Sequence, residues 1–192
     1  MSVPQQGGGL IESRDQLAGF LESGSKPKAD WRIGTEHEKF GFRLDTHASP
    51  AYEGENGVRA LLEGMKRFGW EGVYEGATII GLKHGMAAIS LEPGGQFELS
   101  GAPLKTIHET CAEVNTHLEQ VREVATELNL GFLGLGFHPT HTREQTPVMP
   151  KGRYNIMRAY MPKVGGYGLD MMLRTCTVQV NLDFADEADM VK

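Results

Sequence analysis

Polar and apolar side chains alternate with a period of two along three stretches of this chain, and each stretch predicts a strand with one greasy and one hydrogen-bonding face. Over Trp31 to Leu44, the residues Glu36, Glu38, Phe40, Phe42 and Leu44 fall on one side, which places the two glutamates on the inward face. Thr35, His37, Lys39 and Arg43 then occupy a wetter, partly covered side. A second stretch runs from Met86 to Glu92, is interrupted at Pro93-Gly94-Gly95 as at a bulge or close backbone approach, and resumes to Ser100. If parity survives the interruption, Ser90, Glu92, Gln96, Glu98 and Ser100 share one face, and Ile89, Leu91, Phe97 and Leu99 the other. Arg174 to Phe184 repeats the division, with Thr175, Thr177, Gln179, Asn181 and Asp183 set against Cys176, Val178, Val180, Leu182 and Phe184.

Helical spacing fills the intervals. Ser13 and Gln16 have capping-box spacing ahead of Leu17, Phe20 and Leu21, with Gly24 as a stop, which predicts a short surface helix. A second helix is expected over Asn56 to Phe68, ending at Gly69. The longest runs from Leu104 to Leu128, with a stripe through Leu104, Ile107, Cys111, Val114, Leu118, Val121, Ala125 and Leu128. Strands that need cover flank it on both sides, so it is placed on the greasy side of a sheet rather than in a coiled coil. Further expectations are a strand over Gly131 to Phe137, a loop from His138 to Gly152, a helix from Tyr154 to Met161, and a flexible link at Gly165, Gly166 and Gly168. Asp186 caps a helix inside which the sequence stops. Strands in pairs, with a turn at Lys83-His84-Gly85, and helices in separate runs predict an α+β fold built on an antiparallel sheet. Residues 1–28 read as an arm, loose over Met1 to Gly9, plus the short helix; residues 29–192 form the main body.

Composition narrows the function. At 192 residues the chain holds one core, and a net charge of −6 without a basic cluster argues against a nucleic-acid surface. It has no apolar run of membrane-spanning length, and Met1 to Glu12 lacks a signal pattern, so no membrane partner and a cytoplasmic location are expected. Cys111, at an apolar helix position, and Cys176, on a greasy strand face, read as buried thiols. His138 and His141 have no further ligands nearby to make a zinc site, and Gly94-Gly95 lacks the lysine and hydroxyl of a phosphate loop.

A polar strand face ordinarily meets solvent. Glutamate clustered beside phenylalanine, with no basic residue interleaved, is a different case, because the carboxylates repel unless a divalent ion lies between them. Mg²⁺ suits such an oxygen-only set when substrate phosphates complete its octahedron.

Longer motifs then carry a resemblance. Gly34-Thr35-Glu36-His37-Glu38-Lys39-Phe40-Gly41-Phe42, Ile89 to Pro103, Met149-Pro150-Lys151-Gly152-Arg153-Tyr154, Tyr160 to Val164 and Arg174 to Phe184 occur in order. From Arg32 to Lys192 the chain resembles the N-terminal part of glutamate–cysteine ligase of the plant and proteobacterial type. The resemblance implies a glutamine synthetase-like curved antiparallel sheet, truncated here, with helices on its apolar face and the active site on its concave polar face. It also implies ATP-dependent ligation of the γ-carboxyl of L-glutamate to L-cysteine through an acyl phosphate, the first step of glutathione biosynthesis. Glu36, Glu38, Glu92 and Glu98 would hold Mg²⁺ or Mn²⁺, and Arg153 would act in catalysis. Lys151, Arg153, Arg174, Thr177, Gln179 and Asn181 would bind substrate or ATP, although the strand parity of Arg174 also allows a structural pairing. The alternatives are a non-catalytic fragment that binds Mg²⁺-nucleotide and a related carboxylate–amine ligase with another amine acceptor.

Overall fold

The computed structural model describes residues 9–192, so the loose arm expected over residues 1–9 lies, apart from Gly9, outside the described residues. In chain order the elements are α1 (Arg14–Glu22), β1 (Ile33–His37), β2 (Phe40–Arg43), α2 (Val58–Met65), β3 (Glu71–Glu75), β4 (Thr78–His84), β5 (Ala87–Leu91) and β6 (Phe97–Ser100). There follow α3 (Ile107–Glu127), β7 (Leu130–Leu133), α4 (Gly152–Val164), α5 (Gly168–Arg174), β8 (Val178–Leu182) and α6 (Glu187–Met190). Six strands form an antiparallel sheet in the order β3-β4-β5-β6-β1-β8, while β2 and β7 pair apart from it, giving the α+β class the patterning predicts. No helix among the described residues is long and apolar enough to cross a membrane.

The second polar-faced stretch is a hairpin and not one bulged strand. Gly95 N–H donates to Glu92 O and Glu92 N–H to Gln96 O, both at 2.9 Å, and Gly95 takes φ +84°, which favours glycine. Because the reversal pairs Ser90 with Glu98 and Ile89 with Leu99, the expected grouping of faces survives it. Leu82, Ile89 and Leu99 lie side by side across β4, β5 and β6 and make an apolar row on the back of the sheet. Leu61, Leu62 and Met65 of α2 and Val121 and Val124 of α3 cover that back face, and all are buried. Fully burying one such side chain stabilises by roughly 1.5–3 kcal/mol. The helix α2 continues through a 3-10 turn to Gly69, whose φ of +87° ends it where the sequence predicts.

Three expectations need correction. First, Trp31 to Leu44 is two strands: β1 ends at His37, and β2 leaves the main sheet to pair with β7, with Phe40 opposite Leu133. Thr35 and Lys39, assigned to the wetter side, are buried, because α3 lies over that face of β1. The Lys39 ammonium is satisfied there by His117 Nε2 at 2.9 Å and by the carbonyls of Phe97 at 3.1 Å and His37 at 3.3 Å.

Second, α3 is rotated from its apolar stripe over its first half. Thr106 and Glu109 close a capping box, and the buried residues are Thr110, His117, Val121, Val124 and Ala125. Ile107, Cys111 and Leu118 are exposed, so only Cys176 is a buried thiol, its pKa pushed up to about 12 chiefly by burial. Third, Arg174 ends α5 rather than opening a strand; of the expected glycine link, Gly165 and Gly166 join α4 to α5 and Gly168 begins α5. The strand that follows, β8, is short and lies at the sheet edge, where Val178, Val180 and Leu182 are exposed.

Candidate active site

Pairing of β5, β6, β1 and β8 brings the polar residues of all three stretches onto the front of the sheet. Glu36 lies opposite Ser100 on one side and Gln179 on the other, and Ser90 lies opposite Glu98. Glu98 is 3% exposed, and its carboxylate accepts from Ser90 Oγ at 3.1 Å and from Ser100 Oγ at 2.5 Å. Glu36 Oε1 accepts from Gln179 Nε2 at 3.3 Å and from Asn181 Nδ2 at 3.1 Å, and Gln179 Nε2 also donates to Asn181 Oδ1 at 2.9 Å. Gln179 and Asn181 therefore orient Glu36 as a hydrogen-bonded ladder on the polar face.

Glu38 reaches this face because the backbone turns where β1 stops. Its own N–H donates to Thr177 O at 3.0 Å, while Thr177 N–H donates to Glu38 Oε2 at 2.9 Å. The Glu38 carboxyl is raised above its usual range, mainly by burial, against the lowering effect of the Thr177 bonds and with added repulsion from Glu98 and Glu36. Three carboxylates thus act on one another across β1 and β6. Among the described residues, however, no three His, Cys, Asp or Glu side chains gather closely enough to encircle an ion.

A cation already stands among these acids, contrary to the expectation of a face without basic residues. Lys151 immediately precedes α4, without a side-chain capping bond, and is 3% exposed; burial brings its pKa down to about 8, opposed by the charges of Glu92, Glu98 and Glu75. The helix is held to the sheet by two contacts. Tyr154, fully buried, donates its hydroxyl to Leu91 O at 2.5 Å, and Gly152 N–H donates to the Glu75 carboxylate at 3.2 Å. Glu75 thus supplies negative charge to the first turn of α4. Nothing in the local pattern around Glu75 pointed to this, because the contact joins residues 77 apart. Arg153 lies in that first helical turn and not in a loop; its guanidinium is exposed and sits 5.1 Å from the Tyr154 ring centre.

Arg174 is elsewhere. Its Nη1 donates to Asp170 Oδ1 at 2.8 Å and its guanidinium stacks 4.4 Å from the Phe137 ring, the structural pairing that its parity allowed. It lines a cleft of about 690 Å³ with Phe137, Arg143, Tyr167, Asp170 and Thr175, none of which is on the glutamate face. Gln96, grouped by parity with the glutamates, instead donates to Thr175 O at 2.7 Å and accepts from Gly94 N–H at 2.8 Å, tying the hairpin tip to the end of α5. His138 and His141 stack with ring centres 4.3 Å apart and share Ser49 Oγ, as partners of a hydroxyl.

The model of glutamate-cysteine ligase family 2 matches residues 32–192. The chain belongs to this family. It is similar to chloroplastic glutamate–cysteine ligases of Brassica juncea and Arabidopsis thaliana, each 62% identical over 181 residues, or 94% of this chain. Glutamate–cysteine ligase A of Oryza sativa subsp. japonica, also named chloroplastic, is 59% identical over the same share. The chain spans about a third of the length of these curated relatives, 34–36%. The family assignment agrees with the resemblance carried by the glutamate and arginine motifs. Their chloroplastic names overturn the cytoplasmic expectation, which rested on the lack of a signal pattern in the first residues.

Proposed function

We propose that this chain provides the polar sheet face of an ATP-dependent ligase that joins the γ-carboxyl of L-glutamate to L-cysteine, giving γ-glutamylcysteine for glutathione biosynthesis. The observation that carries the reading is the convergence of Glu36, Glu38, Glu92 and Glu98 with Lys151 on one face, in a chain of the glutamate–cysteine ligase family. The antiparallel sheet with helices on its back supports the finer assignment to a glutamine synthetase-like architecture.

A carboxylate resists attack by an amine until its oxygen becomes a leaving group, which transfer of the ATP γ-phosphoryl group achieves by forming an acyl phosphate. Negative charge spreads over the phosphoryl oxygens in that step, so fixed cations provide most of the catalysis. Lys151, set into the face, and Arg153, two residues on in the first turn of α4, provide them; the Arg153 fork suits a carboxylate or phosphate. Thr177 holds Glu38, and Gln179 with Asn181 holds Glu36, so the carboxylates are oriented before substrate arrives.

The all-oxygen set fits Mg²⁺, or Mn²⁺, through pairs of carboxylates and not a closed cage, since Mg²⁺ commonly takes one or two carboxylates and completes its shell with phosphate and water. Glu36, Glu38, Glu92 and Glu98 would hold it. Bound there, it would neutralise phosphate charge.

In the full-length protein, Glu38→Gln lowers turnover about 100-fold or more at saturating Mg²⁺ while the melting transition stays cooperative. Near-wild-type activity refutes the assignment. Glutamate and ATP without cysteine give positional isotope exchange in ATP; its absence in enzyme that is active with cysteine, and also in the presence of a dead-end cysteine analogue, refutes the acyl phosphate.

A further inference from the structure

The hairpin of β3 and β4 meets the helix that carries Lys151 and Arg153 through one side chain, Glu75. This residue lies opposite Thr78 across a two-residue turn in which Gly76 has φ +60°, and the pairing register shifts just before it, with Val73 opposite Gly81 but Tyr74 opposite Ile79. Such a shift re-aims the side chains that follow. The Glu75 carboxylate stands at the start of α4, where Gly152 N–H is 3.2 Å from each of its oxygens.

By its own sequence α4 starts poorly. Lys151 makes no side-chain capping bond, and the first turn contains no acidic residue. Lys151 and Arg153 instead put two positive charges at the end of the helix where the backbone dipole favours negative ones. A helix that begins this way needs an anion from elsewhere in the chain, and Glu75 provides it. Its charge also reaches Lys151: burial lowers the pKa of that ammonium to about 8, and Glu92, Glu98 and Glu75 oppose the lowering. Glycine at 152 makes room for the contact, because a Cβ there would lie 2.7 Å from Glu75 Oε1. On the buried side, the same segment is tied to the β5–β6 hairpin by Tyr154, which donates to Leu91 O, and by Met149 N–H, which donates to Pro93 O at 2.9 Å. On the exposed side it is tied by Glu75.

We propose, on the ligase reading of Lys151 and Arg153, that Glu75 is a positioning residue for that chemistry: by fixing the first turn of α4 it holds the ammonium and the guanidinium where the transferring phosphoryl group gathers charge. Glu75 touches no substrate itself. It acts through the backbone of Gly152 and through its charge on Lys151.

Glu75→Ala, Glu75→Gln and Gly152→Ala in the full-length protein are compared with wild type in steady-state ligation and in thermal melting. Glu75→Ala should lower kcat about tenfold or more, since small displacements of catalytic groups are costly. Glu75→Gln keeps an acceptor for Gly152 N–H without the charge and should recover part of that loss. Gly152→Ala displaces the carboxylate from the other side of the contact. Alanine suits a helix better than glycine, so its melting midpoint should not fall, while its kcat should fall as far as in Glu75→Ala. Combined, Glu75→Ala and Gly152→Ala should cost no more than either alone, which a general loss of stability would not produce. A kcat within about twofold of wild type in both single variants overturns the positioning, and a loss of about 100-fold in Arg153→Ala alongside it leaves the ligase reading intact. A rise in activity in Glu75→Ala also overturns it, by making Glu75 a competitor for substrate anions. A wild-type protein that does not ligate overturns the ligase reading instead. The hold on α4 is then decided by hydrogen exchange at the Tyr154 amide, which donates to Lys151 O at 3.0 Å and should exchange about threefold faster or more in Glu75→Ala; unchanged exchange overturns the hold as well.

Discussion

Acidification should destabilise this fold through His117 in a way that a single substitution removes. The imidazole is buried against Lys39, with His37, Glu113 and His84 also around it, and burial followed by the Lys39 charge holds its pKa near about 2. In the unfolded chain the ring titrates near 6.5. The unfolded state therefore takes up a proton that the fold refuses. Stability from the neutral ring is complete above about 6.5 and is lost as pH falls toward the folded value. Between 7.5 and 5.0 the loss is about 2 kcal/mol from this residue alone, of which about 0.4 kcal/mol is already lost at 6.5, where the unfolded ring is half protonated. Urea unfolding at pH 7.5, 6.5 and 5.0 measures it. His117→Gln keeps an oxygen for the Lys39 ammonium and removes the titration, so its stability should fall less steeply by about 1.4 kcal/mol per pH unit. The lowered His37 and His138 and the raised Glu38 contribute to both proteins and cancel in the difference. Equal slopes in the two proteins would refute the claim that His117 is neutral in the fold.

Two further expectations test the packing. Tyr154→Phe removes the hydroxyl that joins α4 to Leu91 O and should cost about 1–3 kcal/mol in urea unfolding; no loss would mean that the contact does not anchor Lys151. Ile107→Lys should stay within about 0.5 kcal/mol of wild type and Val121→Lys should cost several times more, because Ile107 is 64% exposed and Val121 2%; the reverse order would restore the apolar stripe of α3 as its buried face.

Local pattern carried much of this architecture. Capping residues and glycine stops located α1, α2 and α6, and parity grouped Glu36, Glu98 and Gln179 on one face, because each signal lies within a few residues of the feature it sets. The β5–β6 reversal was missed in kind but not in consequence. A hairpin that pairs Ser90 with Glu98 keeps the same faces together as a bulged strand would. What could not be read depended on partners far along the chain. Lys39 looked like a solvated strand residue until His117, 78 positions away, provided an acceptor for its ammonium. Lys151 looked like a loop lysine until the sheet placed Glu92 and Glu98 beside it.

The split between β1 and β2 links these observations. A strand continuing straight through Glu38 and Lys39 would pair along one sheet, whereas here Glu38 N–H bonds to Thr177 O of the β8 approach and Lys39 exchanges backbone bonds with Phe97 at the start of β6. Each residue is thus pinned to a different neighbour. Lys39 is sent to the back, where burial lowers its pKa to about 8 against the raising effects of Cys176, Glu98 and Glu38, so its charge still acts on the acids across the sheet. With Lys151 in front and Lys39 behind, repulsion among the glutamates is partly offset by the protein itself. The carboxylates are therefore held by hydrogen bonds from Thr177, Gln179 and Asn181 and by the charges of these two ammonium groups.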